Sequence, residues 1–261
     1  MQNPRRVLIT GGSSGIGEAL AMIYAKRRCF VAISGRDEAR VKAVGEKIEA
    51  AGGTADARVI DVCDDVGMAA WINEVDDAGP LDLVIANAGV GFGSTVDMTL
   101  HERAVKTFEI NVGGVFNTVH PAIERMKKRG RGQIATVSSL AGIVGLPDNP
   151  AYSGSKNAVR AYTESLRGTY AHRGIEISAI CPGYVKSRLT DQNKFNMPFF
   201  MDTPKAAEII VKGLEKNKGR IAFPFPMFAL VRFAQIIPYF LAEKLLAAMA
   251  PKRNYEANTK S

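Results

Sequence analysis

Residues 152–156 read YSGSK and place a tyrosine four positions before a lysine. On a helix, residues four apart are neighbours on one face, so the phenol of Tyr152 and the ammonium of Lys156 would lie side by side. A free phenol has a pKa of about 10, and a neighbouring positive charge lowers that pKa. Such a pair could exchange a proton with an alcohol or carbonyl oxygen. The Y-x-x-x-K spacing alone is also typical of plain exposed pairs.

Three further polar residues could assist the tyrosine. Ser138 and Ser139 lie near the end of a predicted strand, at the edge where parallel sheets place their ligands, and a serine hydroxyl there could hold a substrate oxygen. Asn111 lies within a long predicted helical region. Because asparagine is a poor helix former, we expect Asn111 to have a polar role such as holding a water molecule.

A glycine-rich turn near the start of the chain is typical of dinucleotide binding. Residues 10–17 read TGGSSGIG and follow the T-G-x-x-x-G-x-G pattern between a predicted strand and a predicted helix. Glycine permits the sharp turn and lets backbone N–H groups approach a pyrophosphate, while the helix N-terminus adds a favourable dipole. The residues of this turn that we expect to bind the cofactor are Gly11, Ser13, Ser14, Gly15, Ile16 and Gly17.

The end of the second predicted strand decides between NAD and NADP. An acidic side chain there would accept a hydrogen bond from the ribose 2′-hydroxyl and repel a 2′-phosphate. This chain has Gly35 and then Arg36, whose guanidinium can bind a phosphate through paired hydrogen bonds. We therefore expect NADP(H) rather than NAD(H), although Arg36 could also be a solvated surface residue. Asp37 is expected to cap the next helix.

The scaffold for these residues is predicted by an alternation of apolar strands and amphipathic helices. The predicted strands cover residues 5–10, 30–35, 54–62, 81–89, 133–142 and 175–183, and the predicted helices cover residues 18–28, 37–52, 64–79, 100–129 and 151–172. This alternation predicts an α/β fold of the Rossmann type, with a doubly wound parallel sheet in a three-layer αβα arrangement. We expect one domain over residues 1–261, with its core at about 5–222 and an apolar helical extension at about 223–250.

Two segments interrupt the alternation. Residues 184–202 form a long irregular stretch, which predicts a functional lid. Apolar side chains that could line a pocket beneath it, or else pack in the core, are Phe92, Phe195, Met197, Phe199, Phe200 and Met201. Residues 223–249 are strongly apolar but are interrupted by prolines and charges, which argues against a membrane-spanning helix. We expect helices in the core or at a subunit interface there, with a peripheral membrane contact as the alternative.

Composition limits the remaining classes of function. The formal charge of +8 indicates a basic, solvated surface or attraction to an anionic cofactor, carrier protein or membrane. We expect no nucleic acid partner, because the chain lacks a basic-aromatic stripe and any zinc or RNA-binding motif. The three cysteines and three histidines lack ligand spacing, so we expect no metal site. The first apolar run is too short for a signal peptide, so we expect a cytoplasmic protein.

Together these motifs resemble the short-chain dehydrogenase/reductase family over about residues 5–190. The motifs that agree in order and spacing are residues 10–17, Asp61-Val62, Asn87-Ala88-Gly89, Asn111, Ser139, Tyr152-x-x-x-Lys156 and Pro182-Gly183. The resemblance implies that Tyr152 is the general acid/base, that Lys156 lowers its pKa and binds ribose hydroxyls, and that Ser139 orients the substrate oxygen. It also implies that Asn111 holds a proton-relay water.

The same resemblance implies further cofactor contacts. Asp61 and Val62 would meet the adenine, and Val185 and Ser187 would meet the nicotinamide amide. The remaining cofactor positions that it implies are Asn87, Ala88, Gly89, Pro182 and Gly183. Ala86 stands where the family usually has asparagine. Members of the family commonly form dimers or tetramers, so we expect a homo-oligomer.

The leading expectation is an NADP(H)-dependent carbonyl reductase or alcohol dehydrogenase with a small, apolar substrate. One alternative is a 3-oxoacyl reductase acting on a carrier-bound thioester. The cations that could attract an acidic carrier, or else form a solvated helix end, are Arg125, Lys127, Lys128, Arg129 and Arg173. A second alternative is a protein that senses NADP(H) without turnover.

Overall fold

The computed structural model describes residues 3–92, 96–145, 149–191, 197–238 and 240–244. The strands are β1 (Arg6–Thr10), β2 (Phe30–Gly35), β3 (Thr54–Val59), β4 (Leu83–Ala86), β5 (Gly132–Val137), β6 (Ile175–Pro182) and β7 (Arg220–Phe223). They form a parallel sheet of seven strands in the order β3-β2-β1-β4-β5-β6-β7. The chain therefore reverses its direction of strand addition between β3 and β4, and the predicted doubly wound sheet is confirmed.

Helices cover both faces of this sheet. They are α1 (Gly15–Lys26), α2 (Glu38–Ala50), α3 (Asp65–Asp77), α4 (Leu100–Phe108), α5 (Gly114–Arg129), α6 (Pro150–Tyr170), α7 (Arg188–Asp191), α8 (Thr203–Glu215) and α9 (Phe225–Ile236). The core on one face includes residues of α1, α2 and α8, and the core on the other includes residues of α3, α5 and α6. This is the predicted three-layer αβα arrangement.

The apolar runs of the strands explain why both faces are covered. Val7 and Ile9 lie in one core and Leu8 lies in the other, and all three are fully buried. A parallel strand that is buried on both faces reads as a continuous apolar run, as β1 does. Because Ile9 pairs with Ile85, the chain segments that follow β1 and β4 leave the sheet side by side.

Several element boundaries differ from the predicted ones. The third strand ends at Val59, so Asp61 and Val62 lie in the loop that follows it. The fourth strand ends before Asn87, and the fifth ends before Ser138. The predicted strands were too long because apolar residues continue into the loops that follow them. Val62, for example, lies outside the sheet but is buried against Gly114 of α5.

The predicted helix at residues 100–129 is interrupted. A π-helical turn, Glu109–Gly113, separates α4 from α5. The predicted irregular segment at 184–202 contains the short helix α7, and Val185 forms an isolated parallel bridge with Met201. Residues 192–196, and with them Phe195, lie outside the described residues. Helix α8 and strand β7 were not predicted from the sequence.

The expected helical extension begins directly after β7. Helix α9 buries Met227, Val231 and Ala234, and the first two pack with Leu140 and Ile143. Across the ranges that the structure describes, no helix combines the length and the apolar character that a membrane crossing needs.

Candidate active site

The predicted site residues meet at the carboxyl edge of the sheet. Gly11 follows β1, Asn87 follows β4, Ser139 follows β5 and Gly183 follows β6. In a doubly wound sheet, the crevice for ligands opens at this edge, where the strand order reverses between β1 and β4.

The glycine turn after β1 forms a cradle in which side chains would clash. Gly11 and Gly15 have φ of +64° and +56°, a region that favours glycine. A Cβ on Gly11 would lie 2.8 Å from the Cα of Ala88, and a Cβ on Gly17 would lie 2.3 Å from the carbonyl oxygen of Gly11. Helix α1 begins at Gly15, and the N–H groups of a first helical turn have no intrahelical acceptor. The turn therefore fits the pyrophosphate of a dinucleotide.

Hydrogen bonds of Thr10 and Asn87 stabilise this turn, a role that was not predicted from the sequence. The Thr10 hydroxyl accepts hydrogen bonds from the backbone N–H groups of Asn87 (3.2 Å) and Ala88 (3.4 Å). In return, Nδ2 of Asn87 donates to the carbonyl oxygens of Thr10 and Gly11, each at 3.0 Å. Both amide hydrogens of Asn87 are thus used within the protein. The threonine that begins the glycine motif could have indicated this role.

The position that is predicted to select the cofactor lies after β2. Arg36 is exposed, and its Nη1 lies 4.0 Å from Oδ2 of Asp61. A Cβ on Gly35 would lie 2.5 Å from Oγ of Ser13, so the glycine turn and Arg36 border the same space. Asp37 caps α2 by accepting a hydrogen bond from the N–H of Arg40, which confirms the expected cap. An exposed guanidinium at this position could bind an anionic group of a cofactor.

Tyr152 and Lys156 lie on the first turns of α6. The side chain of Asn149 caps this helix by accepting from the N–H of Tyr152 at 3.2 Å. Nζ of Lys156 is 5.7 Å from the centre of the Tyr152 ring and donates to the carbonyl oxygen of Val137 at 2.9 Å. Lys156 is buried. Among the described residues, its ammonium makes one hydrogen bond, the one to the carbonyl oxygen of Val137. Its other two N–H donors could therefore reach a bound ribose.

Burial dominates the ionisation of this pair. It lowers the pKa of Lys156 to about 8. It also raises the pKa of Tyr152 above its usual value of about 10, although a side-chain hydrogen bond with Ser139 opposes this. The shift comes from burial, Ser139 and Tyr184, with desolvation of the phenolate as its largest cause. The prediction that Lys156 lowers the pKa of Tyr152 therefore stays a prediction.

Ser139 lies between the tyrosine and the end of β6. Its hydroxyl accepts from the N–H of Ala141 at 3.1 Å and donates to the carbonyl oxygen of Pro182 at 3.3 Å. The neighbouring Ser138 has a different role, because its hydroxyl donates to the carbonyl oxygen of Lys156 at 2.6 Å. Ser138 thus anchors α6 to β5, and Ser139 is the serine that faces Tyr152.

Asn111 is fully buried in the π-helical turn. Its Oδ1 accepts from the N–H of Val90 at 2.7 Å, and its Nδ2 donates to the carbonyl oxygen of Val90 (2.9 Å) and to Oγ of Ser155 (3.0 Å). Both amide hydrogens are used, so Asn111 could hold a water only through its remaining oxygen lone pairs. A Cβ on Gly89 would lie 3.0 Å from Oδ1 of Asn111 and 3.1 Å from Nζ of Lys156. These three residues therefore border one narrow space.

Ser155 and Tyr184 are two site residues that the sequence reading missed. Ser155 is buried and donates from Oγ to the carbonyl oxygen of Tyr152 at 2.8 Å, so it connects Asn111 to α6. The position of Ser155 directly before Lys156 in the sequence could have indicated that it belongs to the site. Tyr184 lies close enough to Tyr152 to raise its pKa. No sequence pattern pointed to it.

The remaining predicted cofactor residues lie around the same edge. Val62 is buried, and its carbonyl oxygen accepts from Nδ2 of Asn117 at 2.9 Å. A Cβ on Gly15 would lie 3.3 Å from Cβ of Ser187, so the segment after β6 approaches the glycine turn. Val185 is buried, whereas Gly183 lies against Met227 of α9.

The predicted lid approaches the tyrosine. A Cβ on Gly91 would lie 3.2 Å from Cδ1 of Leu189 and 3.3 Å from Cδ2 of Tyr152, which brings α7 beside the phenol. Phe199 and Phe200 are exposed, whereas Met201 packs against the core. The apolar pocket therefore stays a prediction. The described residues contain no cluster of His, Cys, Asp or Glu that could bind a metal ion.

Comparisons with known proteins agree with this geometry. Residues 5–197 match the short chain dehydrogenase family. An uncharacterized oxidoreductase of Myxococcus xanthus (strain DK1622) is 37% identical over 235 residues, which cover 90% of this chain and 93% of the relative. The 3-oxoacyl-[acyl-carrier-protein] reductase of Rickettsia prowazekii (strain Madrid E) is 33% identical over 185 residues, which cover 71% of this chain and 74% of that protein.

A crystal structure shows the same architecture. The 3-oxoacyl-[acyl-carrier protein] reductase of Brucella melitensis with bound NAD superimposes with a TM-score of 0.72 at 27% identity. The superposition covers 84% of this chain and 89% of that one. The motifs, the fold and these matches together show that the chain belongs to the short-chain dehydrogenase/reductase family of oxidoreductases.

Proposed function

We propose that the protein is an NADP(H)-dependent oxidoreductase that reduces a carbonyl to an alcohol, or runs the reverse reaction, on a small apolar substrate. The observation that carries this proposal is the meeting of Tyr152, Ser139 and Lys156 beside the glycine turn at one sheet edge. Bound NADP(H) would supply or accept the hydride. We further propose one domain, a homo-oligomer and a cytoplasmic location.

Each side chain has a distinct task in this proposal. Because burial keeps the Tyr152 phenol protonated at neutral pH, it is in the form that donates a proton to a carbonyl oxygen. Ser139 would exchange its hydrogen bond to the carbonyl oxygen of Pro182 for one to the same oxygen, and would thereby orient it. Lys156 uses its remaining donors on the ribose hydroxyls, which places the cofactor beside Tyr152.

The choice of NADP(H) rests on the exposed Arg36, which follows Gly35 and the Ser13 hydroxyl packed against it. We expect Arg36→Asp to weaken NADPH binding by about 10- to 100-fold, because a charge-assisted hydrogen-bond pair is lost and a repulsive charge is introduced. NADH binding should hold or improve, since it has no 2′-phosphate. Fluorescence titration with each nucleotide measures both effects. Lys42→Ala, which removes an exposed cation from α2, is the matched control; unchanged NADPH affinity in Arg36→Asp would exclude the NADP assignment.

The alternative substrate is a carrier-bound 3-oxoacyl thioester, which is favoured by the names of some relatives. The structure weakens its electrostatic argument, because Arg125 and Arg129 pair with the buried Asp76, each at 2.9 Å. Lys127 pairs with Glu124 at 3.0 Å. These three cations are already neutralised by neighbours, so they offer little attraction to an acidic carrier.

NADPH consumption with a panel of carbonyl compounds tests the whole proposal. We expect turnover with free apolar ketones or aldehydes to exceed turnover with the matching carrier-bound thioester, because the proposed site selects apolar character rather than an acidic carrier. A preference for the carrier-bound substrate would favour the 3-oxoacyl reductase. Tight NADPH binding without turnover on either class would favour a sensing protein.

A further inference from the structure

Helix α9 is apolar on the side that faces solvent as well as on the side that faces the core. Met227, Val231 and Ala234 are buried. On the opposite side, Phe225 is 74% exposed and Ile236 is 75% exposed. A surface helix ordinarily turns polar residues outward, so an outward apolar face indicates a partner.

The outward residues form a continuous stripe. Phe225, Ala229, Phe233 and Ile236 are spaced by four, four and three residues and lie on one helix face, and Phe233 is 56% exposed. The short helical stretch at 240–244 adds the exposed side chains of Phe240 and Leu241. We call Phe225, Phe233, Ile236, Phe240 and Leu241 the α9 patch.

The α9 patch is large enough to mark a functional surface. Five large side chains that each expose on the order of 100 Å² give roughly 500 Å² of apolar area. That is a functional size for an exposed patch. The ~800 Å² that each partner contributes to a stable protein interface includes polar surface, so area alone does not separate a lipid surface from a second copy of the chain. The charge of the surrounding residues does.

The charge around the patch fits an anionic surface. Arg232 is exposed and lies on the apolar stripe, one turn before Ile236 and two turns after Phe225. It donates to Oε1 of Gln235 at 2.6 Å, and within the described ranges no carboxylate lies at ion-pair distance from it. The sequence contains no Asp or Glu between Glu215 and Glu243. A guanidinium without a carboxylate partner, set among apolar side chains, can reach lipid phosphates.

The patch is fixed next to the candidate active site. Nε2 of Gln235 donates to the carbonyl oxygen of Ile143 at 2.7 Å. Val231 packs with Ile143 and Leu140, on the segment that follows Ser139. A partner that covered the α9 patch would therefore lie beside the part of the chain that carries the candidate catalytic serine.

We propose that the α9 patch is a peripheral docking surface for an anionic lipid bilayer. The phenylalanine and isoleucine side chains enter the boundary between head groups and acyl chains, and Arg232 binds head-group phosphate. The helix lies in the plane of the membrane, in agreement with the absence of a spanning helix in the described ranges. This surface is independent of the proposed substrate and cofactor.

Vesicle co-sedimentation of the full-length protein tests the proposal. We expect binding to phosphatidylcholine vesicles that contain phosphatidylserine, and weaker binding to phosphatidylcholine alone. The double substitution Phe233→Ser and Ile236→Ser should weaken binding tenfold or more, because two inserted apolar side chains are lost. Arg232→Glu should abolish the preference for anionic vesicles. Val66→Ser, at a comparably exposed position on α3, is the matched control and should bind like the wild type.

The outcomes separate the possible occupants of the patch. Failure of the wild type to bind either vesicle would overturn the proposal, as would equal binding by the double variant. Loss of a dimer in sedimentation equilibrium, without loss of vesicle binding, would assign the patch to a subunit interface instead. Equal binding to both vesicle types would overturn the role of Arg232. Circular dichroism and NADPH binding check that the variants fold, and Arg232→Glu alone tests the surface if the double variant does not.

Discussion

Replacing Tyr152 with phenylalanine is expected to lower kcat by about 10²- to 10⁴-fold while leaving NADPH binding nearly unchanged. The substitution removes the proton donor and keeps the aromatic ring. Lys156 keeps its hydrogen bond to the carbonyl oxygen of Val137, so the ribose anchor should persist. Steady-state kinetics and a fluorescence titration of the cofactor measure the two effects separately.

The matched control for this prediction is on the same helix. Tyr162→Phe removes a phenol that hydrogen-bonds to the exposed His120 at 2.5 Å, away from Ser139 and Lys156. We expect it to retain nearly full activity. Full activity in Tyr152→Phe, or an equal loss in both variants, would remove Tyr152 from its assigned role.

Replacing Lys156 with methionine is expected to change activity and stability in opposite directions. Activity should fall by about 10²-fold or more, because the cation beside Tyr152 and the proposed ribose anchor are both lost. Stability near pH 7 should rise, because burial lowers the pKa of the lysine from 10.5 to about 8, equivalent to a penalty of about 3 kcal/mol for folding with the charged form. Losing the Lys156 donor leaves the buried carbonyl oxygen of Val137 unsatisfied, which costs about 1–3 kcal/mol, so a net gain of at most about 2 kcal/mol is expected.

The stability difference between Lys156→Met and the wild type is expected to depend on pH. Between pH 8 and pH 10.5 the unfolded lysine binds more protons than the folded one, so its contribution to wild-type stability rises with pH. Below pH 8 the penalty is present in full. The advantage of Lys156→Met over the wild type should therefore shrink as pH rises through this window.

Urea unfolding of both proteins at several pH values measures the difference. Lys42→Met, at an exposed position on α2, should show no such pH-dependent difference from the wild type. A Lys156→Met protein that is less stable than the wild type near pH 7, with a gap that does not change with pH, would contradict the assigned burial penalty.

The sequence by itself was sufficient for features that depend on local spacing. The continuous apolar run of β1 predicted a strand buried on both faces, and the glycines of residues 10–17 predicted the turn after it. The four-residue spacing of Tyr152 and Lys156 placed both on one helix face, because 3.6 residues per turn fix that geometry. Asp37 was recognised as a cap for the same local reason.

Only the tertiary structure decided the features that depend on which distant segments meet. Nothing in the local pattern showed that Asn87 braces the turn at Thr10, or that Asn111 and Ser155 are partners, since these pairs are far apart in the chain. The direction of the Tyr152 pKa followed from burial, which is a sum over all the elements packed around the phenol. Helix α9 shows the same limit: both of its faces carry large apolar residues, and only packing against Leu140 and Ile143 determines which face remains exposed to solvent.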